Sequence, residues 1–105
     1  MKIIRNSIFP FPGFKAVNLF GFLFVRSKAK ISDIDINHEA IHTAQMKELL
    51  YIFFYIWYII EFIIRFLFMW NWKAAYRNLL FEQEAYDNEK DLNYLTKRKH
   101  YTWLI

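Results

Sequence analysis

The chain has 105 residues, 56% hydrophobic and 22% aromatic, with 14 Lys and Arg against 10 Asp and Glu and no Cys. Against a globular norm of roughly 45–50% apolar, this excludes intrinsic disorder, and the length predicts one domain with one core and no separate regulatory module. Without Cys there is neither a disulfide framework nor a thiolate site, so any metal must rest on His and carboxylates, while the net charge of +4 is too small and scattered to predict a nucleic-acid partner.

Both prolines and both glycines lie within the first 21 residues, at Pro10, Pro12, Gly13 and Gly21. Around the Pro-Phe-Pro-Gly turn, Ile3 to Ile8 and Phe14 to Arg26 are β-branched and aromatic runs. They predict two antiparallel strands within residues 3–26. The same turn interrupts any apolar leader and no small-residue cleavage site follows, so no secretory signal peptide is expected. Ser32-Asp33-Ile34-Asp35 is a run of capping residues ahead of a helical pattern, which places a helix start near Ser32 to Asp35.

From there to about Arg98 the residues are strong helix formers or bulky apolars. Leu49 to Trp70 is interrupted only by Glu61 and Arg65, which stand four apart and can pair on one helix face. A segment of that length can span a bilayer. It also carries ten aromatics between Tyr51 and Trp70, more than so short a chain readily encloses. The segment therefore predicts contact with a membrane interface or a homo-oligomer, and a membrane-associated or cytoplasmic location. The cluster Lys97-Arg98-Lys99 reads as a solvated end.

His38-Glu39-Ala40-Ile41-His42 spells H-E-x-x-H in the first turns of the predicted helix. Positions four apart share a helix face, so the two imidazoles can bind one Zn²⁺ while Glu39 stands beside them as a base for water. A third protein ligand must come from elsewhere, and His100, Glu48, Glu61, Glu82, Glu84, Glu89 or an Asp can supply it. Taken alone, the acidic run Phe81 to Glu89 reads as a solvated helix face.

The stretch Asn37 to Gln45, the later run Phe81-Glu82-Gln83-Glu84-Ala85-Tyr86 and the strand-like Val17 to Arg26 together resemble small bacterial zincin-like proteins of the gluzincin type. The resemblance implies an α+β fold in which an N-terminal β-hairpin or edge strand packs on a three-helix zincin-like core carrying HExxH. It implies a zinc-dependent metallopeptidase, or a peptidase-like relative, with Zn²⁺ on His38, His42 and Glu82 and Glu39 as general base. The Phe20 to Val25 strand would pair with an extended peptide or protein substrate. Tyr86 departs from the pattern, standing where an Asp is usual, and leaves open a second register with Glu84 as ligand and Asn88 behind it. The alternative is a non-enzymatic small membrane-associated or partner-binding helical protein whose HExxH is coincidental or a relic.

A shared ion constrains the topology. A straight helix from Leu49 to Trp70 is about 33 Å long and would hold His42 and Glu82 far apart. Turns near Tyr51 to Tyr55 and Trp70 to Lys73 remove the conflict, giving antiparallel helices over 33–53, 55–70 and 73–98. No Gly or Pro marks the first of these turns.

Overall fold

The computed structural model describes residues 2–7 and 15–104, so the Pro-Phe-Pro-Gly turn lies outside the described residues. The chain is α+β. Strands β1 (Lys2–Asn6), β2 (Ala16–Leu19) and β3 (Phe22–Arg26) precede helices α1 (Asp33–Glu48), α2 (Ile52–Met69), α3 (Trp72–Arg77), α4 (Leu80–Asn88) and α5 (Tyr94–Lys97), and a 3₁₀ turn covers Thr102–Leu104.

The sheet differs from the expected pairing. β1 runs parallel to β3, with Lys2 opposite Phe22 and Asn6 opposite Arg26, and the second apolar run folds back on itself as the antiparallel hairpin β2–β3. The turn is Phe20-Gly21, both at positive φ (54° and 90°). That is the backbone whose twist matches a two-residue hairpin, and Asn18 Oδ1 steadies it by accepting the Gly21 N–H at 3.1 Å. The strand order is β1-β3-β2. β3 is thus the central strand, and the Phe20 to Val25 segment cannot be the edge that receives another chain. β2 is an edge strand instead.

α1 begins as its capping residues predict. Ser32 Oγ accepts the Asp35 N–H, and the Asp35 carboxylate accepts the Ser32 N–H, both at 3.1 Å. It stops at Glu48, five residues before the expected end. The Tyr51 N–H donates to the Met46 carbonyl at 2.7 Å and the Leu50 N–H to that of Lys47 at 3.4 Å, the paired bonds of a Schellman cap. The residue that ordinarily adopts the required positive φ is glycine, and here it is Leu50 at 54°. Tyr51 follows at φ 63° and ψ −59°, and the Ile52 N–H bonds the Leu50 carbonyl at 2.7 Å across it, a tight γ-turn of the strained hand. Leu50 is 72% exposed, so its side chain contributes little packing in return. Leu50→Gly is accordingly expected to raise stability by about 0.5–1 kcal/mol, because the strain removed exceeds the entropy that glycine adds to the unfolded chain. Urea unfolding checks this, and a loss above about 1 kcal/mol would contradict the strain assignment.

α2 ends at Trp70, again in the left-handed region, and Asn71 Oδ1 starts α3 by accepting the Lys73 and Ala74 N–H groups. The single helix expected over 73–98 is three. Asn78 and Asn93 sit at its breaks, where short amide side chains compete with helical hydrogen bonds; Asn78 Nδ2 donates to the Ala74 carbonyl at 2.8 Å. Glu61 and Arg65 pair as predicted, at 2.8 Å. Glu61 Oε2 also accepts the Leu80 N–H at 3.1 Å, capping α4 from α2.

Two apolar clusters hold the layers together. Met46, Phe54, Phe81 and Trp103 join α1, α2, α4 and the 3₁₀ turn, while Ile41, Ala85 and Tyr94 join α1, α4 and α5. β3 contributes Leu23 and Val25, both fully buried. The expected solvated end is not one at Arg98, which is buried between Glu48 and Glu84. Its guanidinium forks onto both oxygens of Glu48 at 2.9 and 3.1 Å and onto Glu84 as well.

Candidate metal centre

The buried face of α1 carries Asn37, His38, Ile41, His42 and Gln45, a helical stripe that is mostly polar. Polar groups in a core must find partners, and every one of these does. Asn37 Nδ2 donates to the carbonyls of Glu89 and Asp91 at 2.8 and 2.9 Å, fastening the end of α4 across α1. Gln45 Nε2 donates to the Phe81 carbonyl and to Glu84 Oε1, both at 3.0 Å. These anchors align α4 so that Glu82 faces the histidines.

Three atoms then converge. Glu82 Oε1 lies 3.2 Å from His38 Nε2 and 3.1 Å from His42 Nε2, and the two Nε2 atoms are 3.2 Å apart. Two ligands at 2.0–2.1 Å from a tetrahedral zinc stand about 3.3–3.4 Å apart, so this near-equilateral triangle has the size of one face of a zinc site. All three residues are buried.

The tautomer of His42 follows from its neighbours. Because Gln45 Nε2 points at a carbonyl, Gln45 Oε1 is the acceptor facing His42 Nδ1, 2.8 Å away. His42 Nδ1 therefore carries its hydrogen, and in the neutral ring Nε2 presents a lone pair to the Glu82 oxygen. Lone pairs gathered at a buried site need a cation between them, either a proton or a metal. For the proton, burial alone pulls His42 down, but the Glu82 charge and hydrogen bond outweigh it and lift the pKa to about 9. Burial alone would raise the pKa of Glu82, but the histidines overcome that and hold it well below the usual carboxylate range.

A folded pKa near 9 against an ordinary 6.5 means that the protonated pair stabilises the fold below about pH 6.5 and that this is lost as pH rises through 9. In chelator-treated buffer the protein is expected to lose on the order of 3 kcal/mol across that window, read as a falling Tm. A Tm that stays flat or rises between pH 6.5 and 9 would contradict the pairing.

Around the triangle, Tyr58 donates its hydroxyl to Glu82 Oε2 at 2.7 Å, and Glu89 approaches His38 Nδ1 at 3.8 Å. The Tyr86 ring stands edge-on to His38 at 4.5 Å, while its hydroxyl meets that of Tyr76 at 3.0 Å. Glu39 lines two clefts. One, of about 410 Å³, is also bordered by Ala16, Val17 and Asn18 of β2 and opens on His42 and Glu82; the other, of about 340 Å³, reaches Lys15, Asp35 and Glu89. Burial raises the pKa of Glu39 above the ordinary carboxylate value. Its backbone carbonyl accepts Asn18 Nδ2 at 3.0 Å, tying the edge strand to the helix.

The remaining candidates are placed elsewhere. Glu84 turns away from the histidines onto Tyr94 and Arg98, and Asn88 Nδ2 bonds the Glu84 carbonyl, so the register with Glu84 as ligand does not form. Glu48 is held by Arg98, the Tyr101 N–H and Trp103 Nε1, and its contact with His100 Nδ1 is 3.1 Å. Glu61 caps α4. Glu82 and Glu84 are both buried, so the acidic run is a solvated face only at Gln83 and Asp87. Sequence reasoning missed Gln45 and Tyr58 as supports; Gln45 stands seven residues after His38, on the same helix face, which was the available signal. Comparison of the chain with protein-family models, with curated proteins and with solved structures gives no match.

Proposed function

We propose that the chain is a zinc-dependent metallopeptidase with a minimal zincin-like core, in which His38, His42 and Glu82 would hold Zn²⁺. What carries the reading is the triangle of Nε2, Nε2 and Oε1 atoms at 3.1–3.2 Å beside a half-buried Glu39 that lines the adjoining cleft. Two imidazoles and one carboxylate, with no thiolate, are the donor set of zinc sites that keep a position for water or substrate. When bound there, zinc supplies Lewis acidity that polarises a carbonyl and acidifies water.

The chain's own groups divide the remaining work. Gln45 fixes His42 in the tautomer that presents Nε2. Tyr58 orients Glu82 through its second oxygen. Glu39, which lines the cleft, would take a proton from water there and return it to the leaving amine, and its raised pKa suits a base that must also act as an acid. Ala16 to Asn18, bordering the same cleft, offer the sheet edge along which an extended peptide would lie.

The test is hydrolysis of an unstructured protein substrate by zinc-loaded enzyme. Activity that a chelator removes and added zinc restores is expected; no hydrolysis at any zinc level would end the peptidase reading. A second reading, a non-enzymatic membrane-associated or partner-binding protein with a coincidental HExxH, is favoured by the exposed apolar surface of α2. It predicts no metal-dependent activity.

A further inference from the structure

α2 is long and apolar enough by length and composition to cross a membrane, yet only Phe54 of its 18 residues is buried. At 100° per residue, its residues divide between two faces, with Met69 the one exposed residue on the inward side. The inward half carries Phe54, Tyr55, Tyr58, Glu61, Phe62 and Arg65, so both charges of the helix are on it and paired with each other. The outward half runs round from Ile59 through Ile56, Ile60 and Ile64 to Phe68. That arc spans about 180° and holds ten large apolar side chains, each between 38% and 84% exposed, with no polar residue among them.

We propose that this arc is a lipid-binding face and that α2 lies in the plane of a membrane interface. A partner helix covers a stripe roughly 100° wide, little more than half of the arc. A protein partner also calls for hydrogen bonds across the contact; the arc supplies none, and Glu61 and Arg65 at its margin are already paired with each other, whereas hydrocarbon covers the arc entirely. The ends of the helix carry what a headgroup layer takes: Trp70 and Trp72, 75% and 61% exposed, then Lys73, and exposed Lys47 just before the opposite end. With a net charge of +4, the complementary surface is anionic.

In-plane seating follows from the inward half. Tyr58 reaches Glu82 and Glu61 reaches the start of α4, so the body of the protein flanks the helix along its length. A transverse helix would carry the buried charged groups of α1 and α4 into hydrocarbon, at high cost. Seated in plane, the histidine–glutamate triangle lies within about one helix diameter, roughly 10–12 Å, of the lipid.

Flotation with phosphatidylcholine/phosphatidylglycerol vesicles, using the whole chain, tests this. The wild type is expected to float with the vesicles and to have its tryptophans quenched more by lipid brominated near the headgroup than at the chain end. Ile60→Glu/Ile64→Lys places a favourable i,i+4 pair at the centre of the arc and touches no core contact. It is expected to keep its far-UV circular dichroism and zinc binding and to bind vesicles at least about tenfold more weakly. A wild type that stays in the aqueous fraction, one that forms a soluble dimer without floating, or a double variant that floats as well as the wild type would overturn the proposal. So would strongest quenching at the bilayer centre. Zinc binding, read in the same samples, separates this failure from failure of the metal site.

Discussion

Replacing Glu39 by Gln is expected to leave zinc bound and to lower peptide hydrolysis by about 10²–10⁴-fold, the loss typical of removing a positioned general base. The substitution keeps the shape of the side chain and leaves the triangle of His38, His42 and Glu82 untouched. It also removes a carboxylate whose ionisation burial opposes, so Tm should hold or rise. On the proposed reading, wild-type activity should fall with decreasing pH from above the usual carboxylate range, because a general base must be ionised and the pKa of Glu39 is raised. A Glu39→Gln enzyme as active as the wild type would remove Glu39 from the chemistry. One that lost zinc together with activity would make it a structural support instead.

The largest expected loss of stability lies away from the triangle, at Arg98. Its guanidinium is the shared partner of Glu48 and Glu84, whose side chains are 5% and 2% exposed. Arg98→Ala leaves two buried carboxylates facing each other across the gap, a change worth about 3–5 kcal/mol in a domain whose total stability is of order 5–15 kcal/mol. The effect should reach the metal centre. Glu84 Oε1 accepts from Gln45, and Gln45 Oε1 faces His42 Nδ1, so releasing Glu84 loosens the ring that presents Nε2. Zinc affinity should fall by about 10–100-fold, as for other losses behind a ligand. Adding Glu48→Gln and Glu84→Gln to Arg98→Ala removes the stranded charges and should recover part of the stability. Urea unfolding reads both steps, and a loss below about 1 kcal/mol for Arg98→Ala would show that the pair is too wet to matter.

Legibility in the sequence followed the strength of local signals. Ser32 and Asp35 announce the start of α1 through side chains that cap it, and the spacing of His38 and His42 places both rings on one face whatever the tertiary context. The hairpin was hidden because Phe20 shares with Gly21 the positive φ that a turn of two glycines or Asn-Gly would have advertised. Leu50 and Tyr51 hid the end of α1 for the same reason. Those residues adopt strained backbone that packing imposes, and nothing in their chemistry predicts it.

The acidic run was misread because its two buried glutamates, Glu82 and Glu84, serve opposite purposes. Glu82 and Glu84 stand two apart, about 200° round the helix, so one reaches the histidines while the other reaches Arg98. Polarity alone made them a wet face; the position of α4, wedged between α1 and the chain after Tyr94, makes them a buried one. Arg98 carried no local mark that set it apart from Lys97 and Lys99.

Equilibrium dialysis against Zn²⁺, followed by metal analysis of the wild type, His42→Ala, Glu82→Ala and Glu84→Gln, probes the convergence of the three ligands most directly. One zinc per chain is predicted in the wild type, its loss in the first two variants, and its retention at reduced affinity in the third. No zinc in the wild type, or a Glu82→Ala variant that binds as tightly as the wild type, would contradict the metal centre.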